Sequence, residues 1–311
     1  MSNKIQQEMS QIEIPQELSE RSKLGVMRAK SEIRPKNRYR TAGIAVAAAL
    51  IVSTGTYTYF HKDTPAPNKQ VATNTRSVKI PAVQMHHNGA ASTRMIGLIV
   101  YNGKIYTITG TSISAEDAKA IIGEKLGTTK DTIDEFNQKQ TIGRDFASTV
   151  GITDVYSVKG YDTNFRIMTY QEIDGQIYAE FYENLNGITI SSGEDVFGKF
   201  NMEGNVASAQ YRTFDDWNSG IENYHSIADM DTVNSFVEAL NKAEPFLRGQ
   251  DSDPLVDNLT SETYRELTLT LKDGSRVKLT LIKGGFVYYG FMDAYFKVDE
   301  DAFSEMWGLL D

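Results

Sequence analysis

The chain contains no cysteine. That absence removes disulfides, thiolate nucleophiles, cysteine-bound zinc and iron–sulfur clusters, and it leaves any folded part to be held by its core alone. Exterior proteins of animal cells usually carry disulfides, so a cysteine-free exterior domain fits a Gram-positive cell surface better. Histidine is scarce as well, with 4 copies, too few and too scattered to build a site. His61, His86 and His87 fall in one polar stretch and His225 stands alone, and none of these spacings closes a tetrahedral site. No metal and no cofactor are expected. A glycine-rich phosphate loop, a nucleophile elbow and HExxH are missing too. Scattered carboxylates such as Glu180, Glu183 and Glu194 are the remaining candidates for an acid–base pair acting on a sugar. Acidic surfaces are common without such chemistry, so the chain is expected not to be an enzyme.

What is present is a folding composition. Hydrophobic residues make up 40% and aromatics 10%, more than a disordered chain carries. The net charge of -9 conceals an asymmetry. Residues 1–40 carry Lys4, Arg21, Lys23, Arg28, Lys30, Arg34, Lys36, Arg38 and Arg40 against Glu8, Glu13, Glu17, Glu20 and Glu32, so the remainder is strongly acidic. The positive charge crowds against an apolar stretch, which membrane topology explains more simply than nucleic-acid binding does.

That stretch runs from Thr41 to Phe60 without a charge. Roughly 20 residues suffice to cross the hydrocarbon layer as a helix, and a single segment has no other way to satisfy its backbone there. Arg34, Lys36, Arg38 and Arg40 lie before it, and the positive-inside rule places the N-terminus in the cytoplasm. Tyr57, Tyr59 and Phe60 suit the outer interface. A cleaved signal peptide requires a much shorter leader than forty residues. The expected layout is a cytoplasmic basic tail (1–40), a transmembrane helix (41–60), a polar stalk (61–92) and two exterior α+β units with antiparallel sheets (93–192 and 193–311). The expected location is the cell membrane, crossed once, with the C-terminus outside.

Within the exterior part, Asn102-Gly103 between apolar runs predicts a hairpin, because both residues tolerate the positive φ of a type I′ turn. Ser114 and Asp117 form a capping pattern ahead of a helix expected to carry Ala118, Ile121, Ile122 and Leu126 and to close at Gly127. Segments 155–158, 165–168, 177–181 and 187–190 read as strands. Helical spacing of Val233, Phe236, Val237 and Leu240 predicts a helix over 231–243. Strict alternation over 266–271 and 277–281, then Gly284-Gly285 and 286–289, predicts a three-strand meander followed by a helix after Asp299. Trp217, Phe286, Tyr288 and Tyr295 are candidates for a ligand surface, because aromatic faces bind apolar groups and sugars; sheet core is the competing use.

In the tail, Ile5, Met9 and Ile12 have helical spacing, and Pro15 opens a second helical stretch. Ile12-Glu13-Ile14-Pro15-Gln16-Glu17-Leu18, then Ser22-Lys23-Leu24-Gly25-Val26 and a basic stop, resembles the cytoplasmic start of Firmicute membrane proteins described as negative effectors of extracytoplasmic-function sigma factors. Leu126-Gly127-Thr128-Thr129, Ile133-Asp134-Glu135-Phe136, the run from Asp154 to Asp162, and Gly284-Gly285-Phe286-Val287 resemble exterior segments of that group. The resemblance implies an anti-sigma factor whose tail holds a sigma factor through Ile14, Leu18, Leu24 and Met27 and whose exterior answers an envelope ligand or a protease. No direct contact with nucleic acid is implied. The alternative is a membrane-tethered binding or structural module with no sigma-factor partner.

Overall fold

The computed structural model describes residues 77–82, 97–130, 144–249, 254 and 259–310. The tail residues Ile14, Leu18, Leu24 and Met27, the cations Arg34, Lys36, Arg38 and Arg40, and the segment 41–60 lie outside the described residues. Among the described residues no helix is long and apolar enough to cross a membrane. All of them belong to the unit Ala45–Asp311.

The architecture is α+β, with every strand pairing antiparallel. In chain order the first elements are β1 (Val78–Lys79), β2 (Leu98–Tyr101), β3 (Lys104–Thr107), β4 (Thr111–Ser112), α1 (Ala115–Ile121) and β5 (Ile122–Thr128). They are followed by β6 (Asp154–Val158), β7 (Arg166–Ile173), β8 (Gln176–Glu183), β9 (Thr189–Ile190) and two 3-10 turns at Gly193–Asp195 and Phe197–Phe200. Then come β10 (Val206–Thr213), α2 (Phe214–Asn218), β11 (His225–Ile227), α3 (Met230–Asn241) and β12 (Glu244–Leu247). The last elements are β13 (Tyr264–Leu271), β14 (Arg276–Ile282), β15 (Phe286–Tyr288), β16 (Ala294–Lys297) and α4 (Glu300–Gly308).

One sheet has six strands in the order β2-β3-β8-β7-β6-β5. The other runs β11-β10-β13-β14-β15-β16-β12, with β4 joining it on β14. The β2–β3 turn has Asn102 and Gly103 at φ 50° and 68°, the conformation that the Asn-Gly pair predicts. On the larger sheet the alternation of β13 and β14 sends Leu267, Leu269, Leu271, Val277, Leu279 and Leu281 to one face. There they pack with Val233, Phe236, Val237 and Leu240 of α3 and Phe303, Met306 and Trp307 of α4. Burying one such side chain contributes about 1.5–3 kcal/mol. Asp229 and Asp299 cap these two helices, each accepting from backbone N–H groups of the first turn. Buried Arg265 donates to the Leu310 carbonyl at 2.7 Å, and its guanidinium lies 5.2 Å from the Trp307 ring, which fixes the C-terminal turn to the sheet.

Two expectations are corrected. The helix opened by Ser114 ends at Ile121, and Ile122–Thr128 is a strand rather than a continuation to Gly127. The reason is tertiary: β5 pairs with β6, and Gly123 lies so close to Ser157 that a Cβ there would meet its carbonyl oxygen at 2.9 Å. The polar stalk expected over 61–92 is interrupted by β1, which pairs with β9 while Ile80 is buried in the main core. Val78 packs beside Ile80, and the Ile80 N–H donates to the Ile188 carbonyl at 2.8 Å, so side chains and backbone dock the segment together.

Candidate functional site

The chain crosses between the sheets at Thr109-Gly110-Thr111, leaving β3 of one to become β4 of the other. At that crossing stands Glu183, the last residue of β8, fully buried. Its Oε1 accepts from Arg166 Nε at 3.1 Å and Nη2 at 2.7 Å, and from the Thr111 hydroxyl at 2.5 Å. Its Oε2 accepts from the Tyr289 phenol at 2.5 Å and from the Thr109 hydroxyl. Arg166 opens β7 directly opposite Glu183 in register, so sheet pairing itself brings the two charges together. The guanidinium is also fully buried, 4.2 Å from the Tyr161 ring centre, 4.6 Å from Phe181 and 5.0 Å from Phe200. Burial opposes its charge, but Glu183, with Tyr161 and Tyr289, more than offsets this and raises the arginine pKa. Burial and the carboxylate together hold the Tyr289 phenol well above its ordinary value, so it remains a donor. A carboxylate saturated by five donors has no lone pair left for an acid–base role; it joins the two sheets.

A second buried pair lies on the far face of the larger sheet, where Arg212 of β10 is in register with Glu266 of β13 and donates to it at 2.7 Å. The aromatic candidates gather on this face. Trp217, Tyr264 and Tyr288 are buried in one cluster with Ile282, and Phe286 packs against it half-buried. Tyr295 is buried too, stacked 5.5 Å from Phe246 and edge-on to Phe286 at 5.4 Å. Lys297 covers Phe286 at 4.7 Å. These rings form a second layer on the sheet rather than an open surface. A cavity beside Glu266, Thr280 and Tyr288 measures about 30 Å³, room for about one or two water molecules.

A shallow, open cleft lies elsewhere among the described residues, where β7 runs on past the end of β6. It holds about 540 Å³, within the usual range of roughly 300–1,000 Å³ for small-molecule sites. Tyr156 and Tyr170 meet edge-to-face across it with centroids 6.3 Å apart. Ile152 at its rim is 71% exposed. Asp154 is held at the cleft wall by Lys125 at 2.7 Å and by the Thr128 hydroxyl at 2.7 Å, which lower its pKa in that order and keep it anionic. Its floor of two half-exposed phenols and its acidic wall suit a ligand with an apolar face and donor groups. Sequence reading missed this pair because Tyr156 and Tyr170 stand on different strands, and only the β6–β7 register makes them neighbours.

Among the described residues no group of three or more His, Asp or Glu side chains is placed to hold a metal. His225 instead stacks on Tyr211 at 5.1 Å. No protein-family model matches the chain, and neither a curated protein nor a solved structure matches it.

Proposed function

We propose that the chain is a membrane-anchored regulator whose acidic α+β domain lies outside the membrane and whose basic tail acts inside the cell, holding a sigma factor. The observation that carries this reading is the placement of Arg34, Lys36, Arg38 and Arg40 immediately before the uncharged run 41–60, with the acidic folded domain beyond it. The proposed contacts are the tail's apolar residues Ile14, Leu18, Leu24 and Met27, because a marginal helix gains burial only by docking into a partner's groove. Two features of the domain support a sensing role. Its buried charges bind the sheets into one rigid support, and the Tyr156–Tyr170 cleft sits at one end of β7 while Arg166 sits at the other.

Affinity capture of the full chain from detergent-solubilised membranes of the native cell, compared with a Leu18→Asp/Leu24→Asp variant, tests the reading. An RNA-polymerase sigma factor recovered with the wild type and lost with the variant is the expected result. Recovery of no sigma factor leaves a membrane-tethered binding module in its place.

A further inference from the structure

Strand β7 outlasts its neighbour β6. Their register ends at Thr169 opposite Val155, and β7 continues to Ile173. The chain ahead of β6 does not follow it. Thr153 turns to Thr129 instead, donating its N–H to the Thr129 hydroxyl at 2.7 Å and accepting from the Thr129 N–H at 2.8 Å. On its other side β7 pairs with β8 up to the two-residue turn Asp174-Gly175, whose φ values of 52° and 74° suit type I′. Such a turn closes on a hydrogen-bonded pair, here Ile173 with Gln176. Bonding alternates along a strand, so Gln171 and Ile173 direct their backbone groups to β8, and Glu172 turns its N–H and C=O outward into the cleft. No strand among the described residues covers them.

The side chains around this edge sort by face. Asp154, Tyr156, Tyr170 and Glu172 share one face of the sheet. Lys125 already pairs with Asp154 at 2.7 Å, which leaves Glu172 as the uncommitted anion of that face among the described residues. Gln171 and Ile173 lie on the other face, where Gln171 Nε2 donates to the Ile152 carbonyl at 3.1 Å. Ile152 and Ile173 are 71% and 52% exposed, and Ile221 alone among the other described large apolar residues stands as open. Exposed aliphatic side chains beside unpaired main-chain groups fit strand addition better than they fit a sugar.

We infer that the outer edge of β7 at Glu172 binds an extended peptide in which basic and apolar residues alternate. The peptide lies as a short added strand in line with β6. Its residue opposite Glu172 exchanges main-chain hydrogen bonds with it and sets a cationic side chain beside that carboxylate and the Tyr170 ring. The residues on either side of it turn to the opposite face, where apolar side chains cover Ile173 and Ile152. The chain's net charge of -9 favours the approach of such a partner. A second copy of the chain fits less well, because two such edges centred on their outward-facing residue set Glu172 against Glu172. The inference deepens the sensing role proposed for the domain and rests on that reading for its place outside the membrane. Peptide binding by the purified chain and capture of a sigma factor succeed or fail separately.

Fluorescence anisotropy of the full chain in a neutral detergent, with a dye-labelled peptide of alternating lysine and valine blocked at both ends, tests it. In the proposed register the lysine N–H groups face β7 and the valine N–H groups face solvent, so N-methylating one set or the other separates a ladder from simple charge attraction. Saturable binding is expected, retained when the valines are N-methylated. Glu172→Lys, Ile173→Ser and N-methylation of the lysines are each expected to weaken it about tenfold. Absence of saturable binding, equal binding of a peptide with glutamate in place of lysine, or an affinity that Glu172→Lys leaves unchanged overturns the inference. A wild type with the mass of two chains by light scattering, returned to one by Ile173→Ser, assigns the edge to a second copy and overturns it as well.

Discussion

Tyr289 and Glu183, 106 residues apart, share a 2.5 Å hydrogen bond that spans the two sheets. Glu183 ends β8 of the smaller sheet, and Tyr289 follows β15 of the larger. Together with Arg166 and the two threonines of the crossing segment they form a buried polar joint between the sheets.

Breaking this joint from one side leaves a buried charge without its counter-ion. Glu183→Ala is expected to cost about 3–5 kcal/mol in urea denaturation, whereas the Arg166→Met/Glu183→Leu double variant loses far less, because apolar residues of similar size replace both charges. Tyr289→Phe removes one hydrogen bond to the carboxylate and is expected to cost about 1.5–3 kcal/mol. Equal losses in Glu183→Ala and the double variant would show that the pair does not act as a unit.

The first 3-10 turn touches the end of α3 so closely that only glycine fits. A Cβ on Gly193 would stand 1.8 Å from the carbonyl oxygen of Leu240, a backbone atom that cannot swing aside. The Gly193 N–H meanwhile donates to the Ala243 carbonyl at 2.9 Å, which fixes the approach. Gly193→Ala is therefore expected to destabilise the fold by about 1–3 kcal/mol or more, with a lowered thermal midpoint as the measurement. Gly103→Ala, with open space around its Cβ, is expected to cost about 1 kcal/mol through its positive φ alone.

Asp273 supplies a pH signature. Burial raises its pKa, but hydrogen bonds from the Ser275 hydroxyl, the Tyr161 phenol and the Ser275 N–H, with the Arg166 charge, lower it more, and the net shift is downward. A depressed folded-state value means stabilisation that is complete above the ordinary aspartate pKa of about 3.9 and is lost as pH falls through the lower folded value. Asp273→Asn is expected to be less stable than the wild type at pH 7 and to show a smaller loss on acidification below about pH 4. Chemical denaturation of both proteins across that range checks it.

Local chemistry was legible where one turn or one face decides the structure. Asn102-Gly103, the cap at Ser114, and the alternation of β13 and β14 all appear in the fold, because positive φ, orphan N–H groups and a buried face are written in adjacent residues. The end of α1 was not legible, since it is set by Ser157 pressing on Gly123. Strand β4 is 2 residues long and belongs to the other sheet, so no periodicity marks it. Glu183 read as one scattered carboxylate among several until the β7–β8 register set it against Arg166. The aromatic candidates Trp217, Tyr288 and Tyr295 are packed among other rings, while the half-exposed pair, Tyr156 and Tyr170, carried no sequence mark.

Labelling single cysteines in intact cells with a membrane-impermeant maleimide tests the proposed layout most directly, since the native chain has no thiol to interfere. Ile152→Cys, at a position 71% exposed in the folded domain, is expected to label in intact cells, and Ser10→Cys in the basic tail only after lysis. Labelling of Ser10→Cys in intact cells with Ile152→Cys protected, or protection of both, contradicts a domain outside and a tail within.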